Sequence, residues 1–230
     1  MTPLIAFALM GQTSASTDLR WRPHLKDAIA YRLVLDLQTT GSNLRIQGDL
    51  AMLVSAMTAS GDYTVRTTVK NKSLSVDGIK QKMPDDAPTF EKISSGGQKI
   101  QAARPVSGEV NPLDLLDLIT EASLPGKAVI EDDRWEGTIV ADQKLGRAAA
   151  KVKCHLLKPE TVQGYPVWRV TFEYCQAAID SVESNGSFCV SVADGSLVAF
   201  EANMRNLRLT DDGNIATANV SMRRVPASHP

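Results

Sequence analysis

Apolar residues fall on every second position through much of this chain, and this period of two residues most constrains its fold. The clearest runs are Tyr31–Leu37, Leu44–Val54, Tyr63–Val69 and Trp168–Tyr174. Successive side chains of a β-strand point to opposite faces, so this period places one face in the core and the other in water. Such half-buried strands are typical of antiparallel sheets. The sequence therefore predicts a mainly β fold.

Twelve strands are predicted between turns, most of which carry a glycine. They cover residues 28–39, 43–55, 62–71, 73–77, 89–94, 99–103, 135–142, 148–157, 166–177, 187–193, 197–209 and 214–225. Glycine after asparagine or aspartate supplies the positive φ that tight hairpins need, which predicts turns at Asn185-Gly186 and Asp194-Gly195. No linker rich in proline, glycine or serine divides the chain, so residues 20–226 are predicted to form one domain and residues 227–230 a disordered tail.

One helix is predicted among the strands. Asn111 is suited to cap it and Pro112 to occupy its first position. Leucines, Ile119 and Ala122 then form an apolar stripe, and Pro125-Gly126 ends the helix. We expect one large curved antiparallel sheet, a half-barrel or open barrel, with this helix (about residues 112–122) packed on its concave face. A second sheet over that face is the alternative.

Composition and motifs exclude several classes of function. The net charge is −1 and lysines and arginines are scattered, which argues against a nucleic-acid partner. The three histidines have no metal-ligand spacing, and no nucleophile elbow, phosphate-binding loop or dinucleotide fingerprint occurs. The sequence thus predicts no catalytic residue, no metal and no cofactor, although a hydrolase built from distant residues stays open.

The N-terminal residues differ from the rest of the chain. Leu4–Met10 is an apolar run, and small and polar residues follow it up to Ala15. This pattern predicts a signal peptide over residues 1–15 and a secreted or periplasmic protein, with a buried N-terminal strand as the alternative. The run is shorter than the roughly 20 residues that a membrane span needs, so no integral membrane segment is expected.

The three cysteines are assigned to faces by their parity. Cys154 alternates in phase with apolar neighbours and should face the core, whereas Cys175 and Cys189 should share the opposite face. A disulfide between Cys175 and Cys189 is predicted on this basis, with three reduced thiols as the alternative.

Aromatic residues supply the candidate ligand site. Trp168 and Phe172 lie on one strand face, Trp135 begins another strand, and Leu116 lies on the apolar stripe of the helix. In a curved sheet such residues are able to line a pocket for an acyl chain or another apolar small molecule. The alternative is that they are ordinary core residues.

A short stretch of the chain carries a family resemblance. Residues 111–116 read Asn-Pro-Leu-Asp-Leu-Leu, residues 124–129 read Leu-Pro-Gly-Lys-Ala-Val, and residues 133–135 read Asp-Arg-Trp. This resembles a group of uncharacterised secreted bacterial β proteins, in which a helix and a Leu-Pro segment precede a strand entered through Gly-Asp-x-Trp. Here Glu131-Asp132-Asp133 stands at the Gly-Asp position. The predicted architecture is also similar to the half-barrel of periplasmic lipoprotein carriers.

These observations predict a non-enzymatic binding or scaffolding domain outside the cytoplasm, whose partner is a lipid-like ligand or a cell-envelope protein. The alternative is a protein–protein interaction module with a solid core and no small-molecule ligand. A cavity under the helix favours the first hypothesis, and a filled core with an unpaired edge strand favours the second. A pocket that joins His155 to a carboxylate and a serine or cysteine indicates a hydrolase.

Overall fold

In the part of the chain that the structure describes, thirteen strands form one antiparallel sheet that does not close into a barrel. The computed structural model describes residues 16–97, 99–101, 119–120, 122–141, 148–177, 181–208 and 215–226, with only the backbone of residues 101 and 208. The strands are β1 (Ala28–Gln38), β2 (Asn43–Met57), β3 (Tyr63–Val76), β4 (Ile79–Lys82), β5 (Thr89–Ile93), β6 (Lys99–Gln101), β7 (Arg134–Ile139), β8 (Ala150–Leu156), β9 (Glu160–Val162), β10 (Tyr165–Gln176), β11 (Glu183–Ser191), β12 (Leu197–Arg208) and β13 (Ile215–Arg224). The predicted fold class is confirmed.

The order of strands across the sheet is β6-β5-β3-β2-β1-β13-β12-β11-β10-β8-β7, with β4 added to β3 and β9 added to β10. Neighbours in sequence are mostly neighbours in space, as hairpin connections require. Two pairings, β3 with β5 and β8 with β10, skip one short strand, and the pairing of β1 with β13 joins the two halves of the chain in the middle of the sheet. As a result β6 and β7 lie at opposite ends of the sheet.

The apolar face predicted by the alternation is buried, and we call it the inner face. The main hydrophobic cluster on this face includes Leu33, Leu35, Ile119, Cys154, Leu156, Phe172, Phe188, Phe200, Met204 and Leu207. The opposite, outer face carries mostly polar side chains. In β8, for example, Val152 and Cys154 are buried while Lys151 and Lys153 are exposed. Burial of the alternate apolar residues is what stabilises strands of this kind.

One predicted turn is wrong. Asn185-Gly186 lies inside β11, where Gly186 pairs with Phe172 on one side and with Ala202 on the other. A Cβ atom at Gly186 would overlap with the carbonyl oxygen of Glu201. The glycine is therefore required by a close approach between two strands and not by a turn.

Strand boundaries differ from prediction at two further places. β3 is one continuous strand because Asn71 adopts a positive φ of 53° at a bulge opposite Gly48, and the pairing resumes at Ser73. The short strands β4 and β9 were not predicted. Both pair with only three or four residues of a longer strand, so they add too few alternating positions to give a periodic signal.

The end of the predicted helix contacts the inner face. Residues 119, 120, 122 and 123 are helical, and Ile119 is fully buried in the main cluster. Residues 112–118 and 121 of the prediction lie outside the described residues, as do residues 1–15 and 227–230. A Cβ atom at Gly137 of β7 would overlap with the carbonyl oxygen of Ala122, so the helical residues lie directly on the backbone of β7. No helix within the described ranges has the length and apolar character to cross a membrane.

The predicted disulfide is wrong, although the assignment of faces agrees with the structure. All three cysteines are free thiols; Cys154 and Cys189 are buried and Cys175 is exposed. Cys189 lies opposite Arg169 in the pairing of β11 with β10, so Cys175 is six residues further along β10. At the rise of a β-strand this separates the two cysteines by roughly 20 Å. A disulfide requires Cα atoms within about 7 Å of each other.

Candidate binding surface at the β7 end of the sheet

Three of the four predicted ligand-binding residues lie on the inner face. Trp135 and Trp168 are partly buried against the main cluster, and Phe172 is 2% exposed. The Phe172 ring packs between Phe200 and Phe188, with ring centroids 5.6 and 6.4 Å away. The fourth, Leu116, lies outside the described residues.

Trp135 is held in place by the helical residues. Its indole Nε1 donates a hydrogen bond to the carbonyl oxygen of Ser123 at 3.0 Å. The buried Cys154 thiol is the cross-strand neighbour of Trp135, and burial raises the pKa of this thiol to about 11 against the opposing effect of the Ser123 hydroxyl. Packing and hydrogen bonding therefore account for the positions of Trp135 and Phe172 without a ligand.

A groove of about 740 Å³ crosses the outer face near β7. It is lined by Arg134, Trp135, Lys153, Cys154, His155, Thr171, Phe172, Glu173, Asn185 and Gly186. The register of the sheet explains its shape, since Trp135, Cys154, Phe172 and Gly186 form one row across four strands. The side chains of this row face inward or are absent, so its backbone forms the floor of the groove.

Polar side chains form the two walls of the outer groove. One wall is the cross-strand row Arg134, His155 and Thr171, and the other contains Lys153, Glu173 and Asn185. Both signs of charge are present, together with amide, imidazole and hydroxyl groups. This arrangement is suited to hydrogen-bonding a polar ligand or a polar backbone.

His155, the carboxylate residue Glu173 and Cys154 all line the outer groove, but the buried Cys154 side chain faces the inner side of the sheet and His155 faces the outer side. The Nε2 atom of His155 lies 3.4 Å from Oδ1 of Asp132, a long contact. Thr171 is the cross-strand neighbour of His155. Within the described ranges, no hydrogen bond joins the Thr171 hydroxyl to this imidazole, and no group of three histidine, cysteine or acidic residues is placed to hold a metal. A nucleophile needs such a contact with its base to be activated.

A second, smaller groove lies beside β7, next to residues 124–129. Its volume is about 180 Å³, and it is lined by Leu124, Pro125, Gly126, Lys127, Val129, Asp133, Arg134, Trp135 and Glu136. Leu124, Pro125, Val129 and Trp135 make part of this lining apolar. The segment from residue 124 to 129 is fixed because Val129 is buried and pairs with Thr17 in an isolated bridge.

β7 itself is an edge strand between these two grooves. Among the described residues it pairs only with β8, and its other side has no strand neighbour. The alternation of the sequence predicts the faces of β7 but not its place at the edge. Its six-residue length, the charges Arg134 and Glu136, and Gly137 are the local signs of an edge strand that sequence reasoning missed.

A further part of the inner face is only partly covered. On β2 and β3, apolar side chains that share a face with Leu33 and Leu35 stay partly exposed: Leu44, Ile46, Leu50, Met52, Leu74 and Val76. Leu44 and Ile46 pack against the main cluster, and Met52 packs against a smaller cluster around Val54, Tyr63 and Val65.

Comparison with protein-family models, with curated proteins and with solved structures returns no match.

Proposed function

We propose that this chain is a non-catalytic protein-interaction domain that acts outside the cytoplasm, in the periplasm or after secretion, and binds a cell-envelope protein through the β7 end of its sheet. The observation that carries this proposal is the outer edge of β7, which no strand in the described part of the chain pairs with and which lies between two grooves. An unpaired strand edge presents backbone donors and acceptors, which natural proteins normally cover or block unless a partner uses them.

The packing of the aromatic residues supports a protein partner over an apolar ligand beneath the helix. Phe172 is enclosed by other phenylalanines, and Trp135 is bound to the backbone of Ser123. A ligand at these residues would have to displace contacts that are already made, which costs free energy of packing.

The proposed location outside the cytoplasm depends on the apolar run Leu4–Met10. Cleavage near Ala15 would retain Thr17, which pairs with Val129, and Leu19, which is 1% exposed in the main cluster. N-terminal sequencing of protein from the native host, with a first residue near Ser16 expected, tests this location. A mature chain that retains Met1–Met10 would contradict it.

A photoreactive amino acid at Thr138 tests the interaction. Thr138 is exposed on edge strand β7. Thr217 is the matched control, because it is also an exposed threonine but lies on the central strand β13. In the native host, irradiation is expected to give one discrete protein adduct from position 138 and none from position 217. No adduct from position 138, or the same adduct from both positions, would contradict the proposal.

A second candidate function is the binding of a lipid-like molecule on β2 and β3. The partly exposed apolar side chains of Leu50, Met52 and Leu74 favour it, because a contiguous apolar surface often marks a ligand site. Native mass spectrometry of the purified protein is expected to show a bound lipid that Leu50→Gln reduces. As a control, Arg45→Gln on the outer side of β2 should leave the bound fraction unchanged.

A further inference from the structure

The alternation of the ladder between β7 and β8 identifies the backbone groups of β7 that this ladder does not use. The amide of Leu156 donates to the carbonyl oxygen of Asp133 at 2.9 Å, so this pair is hydrogen-bonded. In an antiparallel ladder every second pair bonds, and Trp135, Gly137 and Ile139 therefore direct their N–H and C=O groups toward β8. The intervening residues Arg134, Glu136 and Thr138 direct theirs toward the free edge.

The side chains beside this edge differ on its two faces. On the inner side, Trp135 together with Leu124 and Pro125 supplies an apolar part of the lining of the smaller groove. On the outer side the Glu136 carboxylate is bound by Lys151 at 2.8 Å, whereas Arg134 has no ion pair within the described residues. A strand laid along β7 would point alternate side chains to these two sides, so apolar residues would meet the groove and acidic residues would meet Arg134.

We infer that β7 accepts an extended peptide segment of the partner as an additional strand. An apolar side chain of this segment enters the smaller groove, and a neighbouring acidic side chain lies beside Arg134. This inference rests on the proposed function and names the chemistry of the partner. Main-chain hydrogen bonds to Arg134, Glu136 and Thr138 supply the affinity, and the alternation of apolar and acidic residues supplies the specificity.

A second copy of this chain fits the edge less well. If two β7 strands paired, the apolar position of the added strand would be Trp135, whose indole is already bound to Ser123. Its acidic position would be Glu136, which is already bound to Lys151. The Trp135 indole would have to break its contact to enter the smaller groove of the other copy, and the Glu136 carboxylate would have to break its contact to pair with Arg134 of that copy.

Selection from a displayed library tests the inference. The probe is a set of peptides with a random segment of six residues, the length of β7. Wild-type protein is expected to enrich sequences in which apolar and acidic residues alternate. Arg134→Glu is expected to replace the acidic preference by lysine or arginine, because it reverses the charge at position 134, which has no ion pair among the described residues. Failure to enrich any alternating sequence would overturn the inference.

A synthetic peptide of the enriched sequence then tests the backbone contacts. Thr138→Pro removes an edge N–H that the sheet does not use, and affinity is expected to fall about tenfold, the size of one main-chain hydrogen bond. Thr138→Val keeps this N–H and should change the affinity less than about twofold. N-methylation of alternate peptide residues should cause a similar loss without altering the protein. Equal affinity for the proline and valine variants would overturn the inference, and so would a wild-type dimer that Thr138→Pro dissociates.

The two proposals fail in different ways. If position 138 still gives its protein adduct in the host while the library enriches nothing, the interaction function stands and the extended-peptide mode falls. If both experiments are negative, both proposals fall.

Discussion

Gly137→Ala is expected to destabilise the protein by about 3 kcal/mol, the upper part of the range for overpacking in a closely packed site. The new methyl group would overlap with the carbonyl oxygen of Ala122, a backbone atom that cannot move away as a flexible side chain can. The helical residues would have to lift from β7, and the burial of Ile119 in the main cluster would be reduced. Urea unfolding gives the change in the free energy of unfolding.

Gly41→Ala is the matched control for this substitution. Gly41 lies in an exposed turn, its φ is not positive, and an added Cβ would meet no atom within 4 Å. The expected change in the free energy of unfolding is within about 0.5 kcal/mol. Similar values for the two variants would mean that the helical residues do not lie on β7 as described.

Phe172→Ala is expected to lower the free energy of unfolding by about 3–5 kcal/mol, the usual cost of a large cavity in a core. Phe172 is 2% exposed and packs against Phe188 and Phe200, so the removed ring leaves a void that its neighbours fill only in part. The measurement separates the two interpretations of this residue. A core residue gives the full loss, whereas a residue that lines an open ligand site gives a much smaller one.

Phe90→Ala is the control for Phe172→Ala. Phe90 lies on β5, and 55% of its surface is exposed. Its removal is expected to change the free energy of unfolding by less than about 1 kcal/mol, since little apolar surface returns to water. A loss at Phe172 no larger than the loss at Phe90 would argue that the Phe172 ring is not part of the core.

The inner and outer faces of the strands were predictable from the sequence. A period of two is a property of the extended backbone itself, so the burial of Leu33, Leu35 and Phe172 follows from their positions without knowledge of any partner strand. For the same reason, parity assigned Cys154 to one face and Cys175 and Cys189 to the other. Trp168 and Phe172 were likewise placed on one face of their strand, whereas the structure was needed to show that Trp135 of β7 lies on the same side of the sheet.

The relations between strands were not predictable in this way. Cys175 and Cys189 share a face but lie roughly 20 Å apart, because the register is set by the connection between β10 and β11 and by packing across the sheet. Asn185-Gly186 has the local sequence of a turn, yet the approach of Glu201 makes it part of a strand. The edge position of β7 likewise depends on all the other pairings, because a strand is an edge only when no other segment of the fold pairs with it. The alternation of the sequence thus determined which side of each strand is buried, and only the tertiary structure decided which strands meet, in which register, and where the sheet remains open.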